Sequence, residues 1–211
     1  MIYGNKFLSV NEVRELNDEE KLIMYENALE LINELDDFSD NNLIMEGAND
    51  EYVQSLKVFK DKMKTIKNKL KNYKIRKDKD KYIKTCNEGI ELCKETKKDI
   101  NKISPTVQDN VISYIIGITK VLITTIPLIA LSAVVATVSK TAGTAVAISS
   151  AIAGAKFFDS DFRDEKGYVT TNMSATDKRR VFNQYRVICI KYIYQCIDQL
   201  EYNKNIANNK W

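Results

Sequence analysis

The sequence predicts an all-α chain: an antiparallel, coiled-coil-like helical hairpin, a central hydrophobic helical hairpin, and a C-terminal amphipathic helix. Three observations predict it. Only two prolines and seven glycines punctuate 211 residues, which favours a few long helices over many short strands and turns. Apolar residues recur at alternating spacings of three and four, the repeat of a helix face. Charge is also segregated: between Asp109 and Asp159 the only charged residues are Lys120, Lys140 and Lys156.

The elements follow in chain order. Residues 1–46 read as an acidic leader with one helix, a candidate propeptide. Asn17 caps that helix with Glu20 three residues on, and Asp18, Glu19 and Glu20 suit the positive helix start. Leu22, Tyr25, Leu29 and Ile32 form its apolar stripe. The run Asp36-Asp37-Phe38-Ser39-Asp40-Asn41-Asn42 is a polar breaker that reads as a linker.

Residues 47–104 read as a basic helical hairpin. Tyr52, Leu56, Phe59, Met63, Ile66, Leu70 and Tyr73 form one heptad seam. After a charged turn near Ile75 to Asp80, Ile83, Cys86, Ile90, Cys93, Lys97 and Ile100 form a second, with Lys97 spoiling one position. Two such stripes joined by a short polar turn predict antiparallel partners. Ser104 and Pro105 then form a helix cap and first helical position.

Residues 105–158 hold the apolar block, read as a helical hairpin with a membrane-interacting role. Val121 to Ser139 is a run of 19 uncharged residues, close to the ~20 needed to cross a bilayer core. Pro127 lies within it and is tolerated where neighbouring groups satisfy the freed carbonyl. In the second arm Gly143, Ala147, Ala151 and Ala155 recur every four residues, a ladder that lets two backbones approach closely. Burial of this hairpin in a soluble fold is the competing expectation, supported by its Ala, Ser and Thr content.

Residues 159–211 read as a polar loop and the last helix. Ser174 to Asp177 gives a capping-box pattern, followed by a wide apolar face from Val181 to about Tyr202. The tail from Asn203 to Trp211 is expected to fray.

Charge divides the chain further. Residues 1–46 carry twelve acids and three bases, a net charge of −9, so with +3 overall residues 47–211 carry +12. The bases are densest on the first long helix, where Lys57, Lys60, Lys64, Lys67, Lys71, Lys74, Arg76 and Lys77 form a candidate face for an anionic partner. Nucleic acid, anionic lipid and the acidic leader are the partners such a face expects, beside the plainer reading of a solvated surface.

The residues exclude most catalytic chemistry. Histidine is absent, removing the commonest general base at neutral pH. Nucleotide-binding loops, metalloprotease motifs and nucleophile elbows are missing. Asp159, Asp161, Asp164 and Glu165 lack the spacing of a calcium loop. Cys86 and Cys93, like Cys189 and Cys196, are seven apart, about 10 Å along a helix, too far for either pair to share a metal or form its own disulfide. They read as small buried hydrophobes, with a bond between helices left open. The expectation is a non-enzyme with no cofactor and no small-molecule substrate.

Leu43-Ile44-Met45-Glu46-Gly47 ends the acidic segment where the charge reverses. Ile44, Glu46 and Gly47 resemble the target of the prohead proteases of large tailed bacteriophages, which cut between Glu and a small residue. The chain as an architecture resembles uncharacterised internal or structural virion proteins of those phages. That resemblance implies maturation by cleavage after Glu46, a location in the virion or host-cell membrane, and no enzymatic activity. Without it, the expected location is cytoplasmic or membrane-associated. Met1 to Val10 has neither the basic start nor the apolar run of a signal peptide. Other expectations are a helical pore-forming or membrane-effector protein and a soluble scaffolding coiled coil, with homo-oligomers among the partners.

Overall fold

The structure, a computed structural model, describes residues 17, 20, 51–103, 109–133 and 174–211. These residues are all-α, with no strand among them. Four long helices account for most of them: α1 (Glu51–Arg76), α2 (Lys79–Lys102), α3 (Asp109–Leu131) and α4 (Ala175–Lys210). Before them, Asn17 and Glu20 exchange the two bonds of a capping box. The Asn17 amide donates to Glu20 Oε2 at 3.0 Å, and the Glu20 amide to Asn17 Oδ1 at 2.9 Å.

Helix α1 buries Leu56, Phe59, Met63, Ile66 and Leu70, the central positions of the seam in the sequence. It stops at Lys77, whose φ of 55° is left-handed. The Asp78 amide donates to Tyr73 O at 3.0 Å and the Lys77 amide to Lys74 O at 3.2 Å. This bond pair satisfies the last carbonyls of a helix and usually places glycine where Lys77 stands. Asp78 immediately caps α2, accepting from the Lys81 amide.

Helix α2 buries Tyr82, Cys86, Ile90, Cys93 and Ile100. Thr96, and not Lys97, takes the buried place after Cys93, its hydroxyl bonded to Leu92 O at 2.9 Å. Lys97 lies half-buried at the edge, its ammonium 4.3 Å from the Tyr194 ring centroid and bonded to that tyrosine's hydroxyl.

Each of the four helices packs against two others: α1 on α2 and α3, and α4 on α2 and α3. Contacts fix the directions. Lys69 meets Glu88, and Gly89 meets Leu200, so α2 runs antiparallel to α1 and α4. Tyr52 meets Tyr114 while Lys74 meets Leu131, so α1 and α3 are parallel. Asn203 reaches Ile129, which sets the C-terminal ends of α3 and α4 together.

Two expectations change. The run Val121–Ser139 is not one helix: α3 ends at Leu131 and the chain turns at Ser132 and Ala133, while the expected helix start at Ser104 and Pro105 lies outside the described residues. Ser132 accounts for this stop, since its amide and hydroxyl both bond to Ile129 O, at 3.0 and 2.7 Å. The tail does not fray: α4 continues to Lys210, with Asn203 and Ala207 fully buried. These two extend the spacing of Cys189, Ile193, Cys196 and Leu200 by further steps of three and four, so the core stripe runs on through a polar-looking segment.

Candidate functional site

Helix α3 is the element with the most unusual surroundings. Its stretch Tyr114–Leu131 is long and apolar enough to cross a membrane, and most of it is buried in the packing. Val121 to Pro127 are seven consecutive buried residues, whereas a helix on a protein surface buries only one face. Pro127 is accommodated inside the helix without ending it. Gly117 admits Leu56 of α1 against the α3 backbone.

Two hydroxyls on this helix turn back onto its own main chain. Thr119 Oγ1 donates to Ile115 O at 2.8 Å, and Thr124 Oγ1 to Val121 O at 3.1 Å. A buried hydroxyl without a partner costs roughly 1–3 kcal/mol, and these bonds remove that cost wherever the helix resides. The helix is thus polar in composition at these positions but not in its demands on its neighbours.

A polar collar closes the C-terminal end. Lys74 of α1 donates to Leu131 O at 3.1 Å, and Tyr82 of α2 to Ser132 O at 2.9 Å. Asn203 of α4 donates to Ile129 O at 2.8 Å while accepting from Gln199 Nε2 at 2.9 Å. The last turn of α3 contains no base of its own, so its exposed carbonyls and negative dipole end draw these donors from other helices. Lys79 does the same for α4, donating to Asn208 O and Trp211 O at 3.1 Å each. Trp211 packs edge-on against Tyr82, with centroids 5.2 Å apart. Burial pushes the Tyr82 hydroxyl above its ordinary range, and desolvation pulls the Lys74 ammonium below its own.

Of the predicted anionic-partner face, Lys57, Lys64 and Lys71 are exposed, and Lys60 and Lys67 are half-buried. Lys74 leaves that face to serve the collar. Arg76 and Lys77 lie exposed at the helix end. Residues Ile44, Glu46 and Gly47 of the cleavage motif lie outside the described residues. So do Gly143, Ala147, Ala151 and Ala155 of the small-residue arm.

The four cysteines are buried free thiols. Burial pushes Cys86 and Cys189 up to about 12. Cys196 rises too, through its bond with Cys93 first and burial second. Such thiols are poor nucleophiles. Among the described residues no group of three or more Cys, Asp or Glu is placed to hold a metal.

The collar residues Lys74, Lys79, Tyr82 and Asn203 were not distinguishable as a set in the sequence. Lys74 reads as one more lysine in a basic run, and Asn203 as the start of a polar tail. Only the continued spacing past Leu200 pointed to Asn203 and Ala207.

Comparison with protein-family models, with curated proteins and with solved structures finds no match to this chain.

Proposed function

We propose that the protein is a non-enzymatic, virion-associated helical protein of the tailed-phage kind, in which α3 is a membrane-binding helix stored within the packing. One observation supports the membrane part of this reading: Tyr114–Leu131 has the length and apolarity of a membrane span, and the Thr119 and Thr124 hydroxyls within it are satisfied by its own backbone. Such a helix passes into lipid without stranding those groups. Lys120 is the only charge in that stretch, and a lysine stem is long enough to carry its ammonium toward the headgroups. Three other helices reach the α3 end through Lys74, Tyr82 and Asn203, so release of α3 requires breaking this collar together with the packing along its length.

The finer arrangement belongs to the same proposal. Residues 47–104 act as a coiled-coil-like hairpin. The ladder Gly143, Ala147, Ala151 and Ala155 supplies a second apolar arm to α3. Cleavage after Glu46 removes the acidic leader and leaves a body carrying +12.

Flotation of the full chain with vesicles of phosphatidylcholine and phosphatidylglycerol, at neutral and acidic pH, tests the membrane role. Co-flotation in at least one condition is expected, and its absence in both removes that role. Mass spectrometry of virions tests maturation, with an amino terminus at Gly47 expected; an intact Met1 removes the cleavage.

A second reading is favoured by the burial of most of Tyr114–Leu131 and by the seating of Leu56 on Gly117. On it, α3 is the permanent core helix of a soluble scaffolding protein, and no flotation occurs. Leakage of vesicle contents, beyond binding, would instead mark a pore-forming effector.

A further inference from the structure

Helices α2 and α4 run antiparallel, and each carries two buried thiols, Cys86 and Cys93 on α2, Cys189 and Cys196 on α4. Three contacts fix the register between them. Lys204 Nζ donates to Asn87 Oδ1 at 3.4 Å, Gly89 receives Leu200, and Lys97 bonds to the Tyr194 hydroxyl. Cys93 lies midway between Gly89 and Lys97, and Cys196 lies between Tyr194 and Leu200. One turn on from the Gly89–Leu200 layer, the core therefore sets Cys93 opposite Cys196, both fully buried. The two thiols are hydrogen-bonded to each other.

The helices approach closely there for a local reason. Gly89 has no side chain, so Leu200 sits on the α2 backbone: a β-carbon at position 89 would stand 2.8 Å from Leu200 Cδ1. A disulfide needs α-carbons within about 7 Å, and close backbone approach is what such a glycine supplies. The other two cysteines are placed differently. Cys86 lies beside Lys204 and Glu201, and Cys189 beside Thr119 of α3. Cys189 is seven residues from Cys196, about 10 Å along the helix, so it competes poorly for Cys93.

We propose that Cys93 and Cys196 form a redox-responsive staple, a facing pair that a small-molecule disulfide converts into an α2–α4 disulfide bond. One of the two, as thiolate, attacks the small disulfide, breaking its S–S bond and releasing one small thiol, which takes up the proton. The second cysteine then displaces the other small thiol from the mixed disulfide and passes its own proton to it. The two cysteines lose two electrons, and the reagent gains them as two thiols. Burial holds the pair unreacted until the α2–α4 interface opens, and a reducing compartment returns it to thiols. The bond ties α2 to α4 and crosses neither seam of α3, which packs on α1 and α4. The staple therefore stands apart from the membrane and virion readings above.

Refolding the full chain from urea through a series of reduced and oxidised glutathione tests the staple, because burial then no longer bars the reagent. Alkylation of the remaining thiols and mass spectrometry of the unreduced digest read the pairing. After refolding, Cys93–Cys196 is expected as the dominant link, with Cys86 and Cys189 alkylated. In strong urea the order reverses, because short loops close most readily, and Cys86–Cys93 and Cys189–Cys196 dominate. Absence of the Cys93–Cys196 link across the whole series overturns the proposal. Cys93 paired mainly with Cys189, or the same mixture in urea and after refolding, overturns it as well. A second measurement compares the stapled chain with the same chain after dithiothreitol. The unfolding constant of the stapled form should be about a hundredfold lower. Equal stability of the two forms overturns the staple, since the bond would then strain the fold as much as it ties it.

Discussion

Leu56 of α1 occupies the space that a side chain at Gly117 of α3 would need. A β-carbon at position 117 would stand 2.4 Å from Leu56 Cδ2, 2.9 Å from Cδ1 and 3.2 Å from Cγ. Both methyl branches are involved, so rotating Leu56 does not clear the clash. Leu56 is itself buried, which leaves it nowhere to retreat.

Gly117→Ala should therefore destabilise the fold. Overpacking costs about 1–3 kcal/mol, offset by up to about 1 kcal/mol from the better helix propensity of alanine. Leu56→Ala alone should cost about 2–5 kcal/mol through the cavity it leaves. Because the two residues share one space, the double variant should lose less than the sum of the singles, by about 0.5 kcal/mol or more. Urea unfolding of the four proteins measures this, and simple additivity would show that the contact is not made.

The turn between α1 and α2 holds a stabilising substitution in reserve. Lys77 adopts φ 55° in a bond pattern that favours glycine there, and a β-carbon in that region costs about 1–2 kcal/mol. Lys77→Gly should raise stability by roughly 0.5–1 kcal/mol once the looser unfolded chain is counted. Lys77→Val should lower it, since a branched side chain fits this backbone worst. The midpoint of urea unfolding reports both signs.

Asn203 of α4 and Tyr82 of α2 hold the same end of α3. Asn203→Leu strands the Gln199 amide and removes one of the three donors to Ile129 O, and Tyr82→Phe removes the donor to Ser132 O. Each should cost roughly 1–3 kcal/mol, the range for a buried polar group left unpaired. Hydrogen exchange should show the loss first in the last turns of α3. If exchange there matches the wild type while global stability falls, the collar does not hold that end.

Among the described residues, α1 was legible in the sequence because its apolar spacing is unbroken. Leu56, Phe59, Met63, Ile66 and Leu70 are the buried stripe they appeared to be. The boundaries that were misread have two physical causes. Ser132 ends α3 by bonding back to Ile129 O, a local competition that a run of uncharged residues conceals. Asn203 is buried because it finds a main-chain carbonyl on another helix, and nothing in its own neighbourhood announces that partner. The collar was illegible for the same reason. Lys74, Tyr82 and Asn203 come from three segments, and only the packing brings them to one helix end. Capping, being local, was read at Asn17 and Ser174, and both bond as their sequence implied.

The buried thiols make stability sensitive to alkali, with a definite sign. Cys86 and Cys189 are pushed up to about 12 from an ordinary value of 9.0. Below pH 9 they are protonated in both folded and unfolded chains and contribute no pH dependence. Above it the unfolded thiols ionise first, so the unfolded state binds fewer protons and stability falls with rising pH. The loss continues to about pH 12, where the folded thiols ionise too. At about pH 10.5 it should reach about 2 kcal/mol for each thiol. Tyr82, raised by burial, adds to the fall above pH 10. Lys74 opposes it, because its lowered value means that the unfolded chain holds the extra proton. Comparing the wild type with Cys86→Ala and Cys189→Ala in urea unfolding between pH 8 and 11 isolates the thiols. Each variant should be less stable at pH 8 and should lose stability less steeply above pH 9. Parallel curves for all three proteins would show that these thiols do not stay protonated in the core.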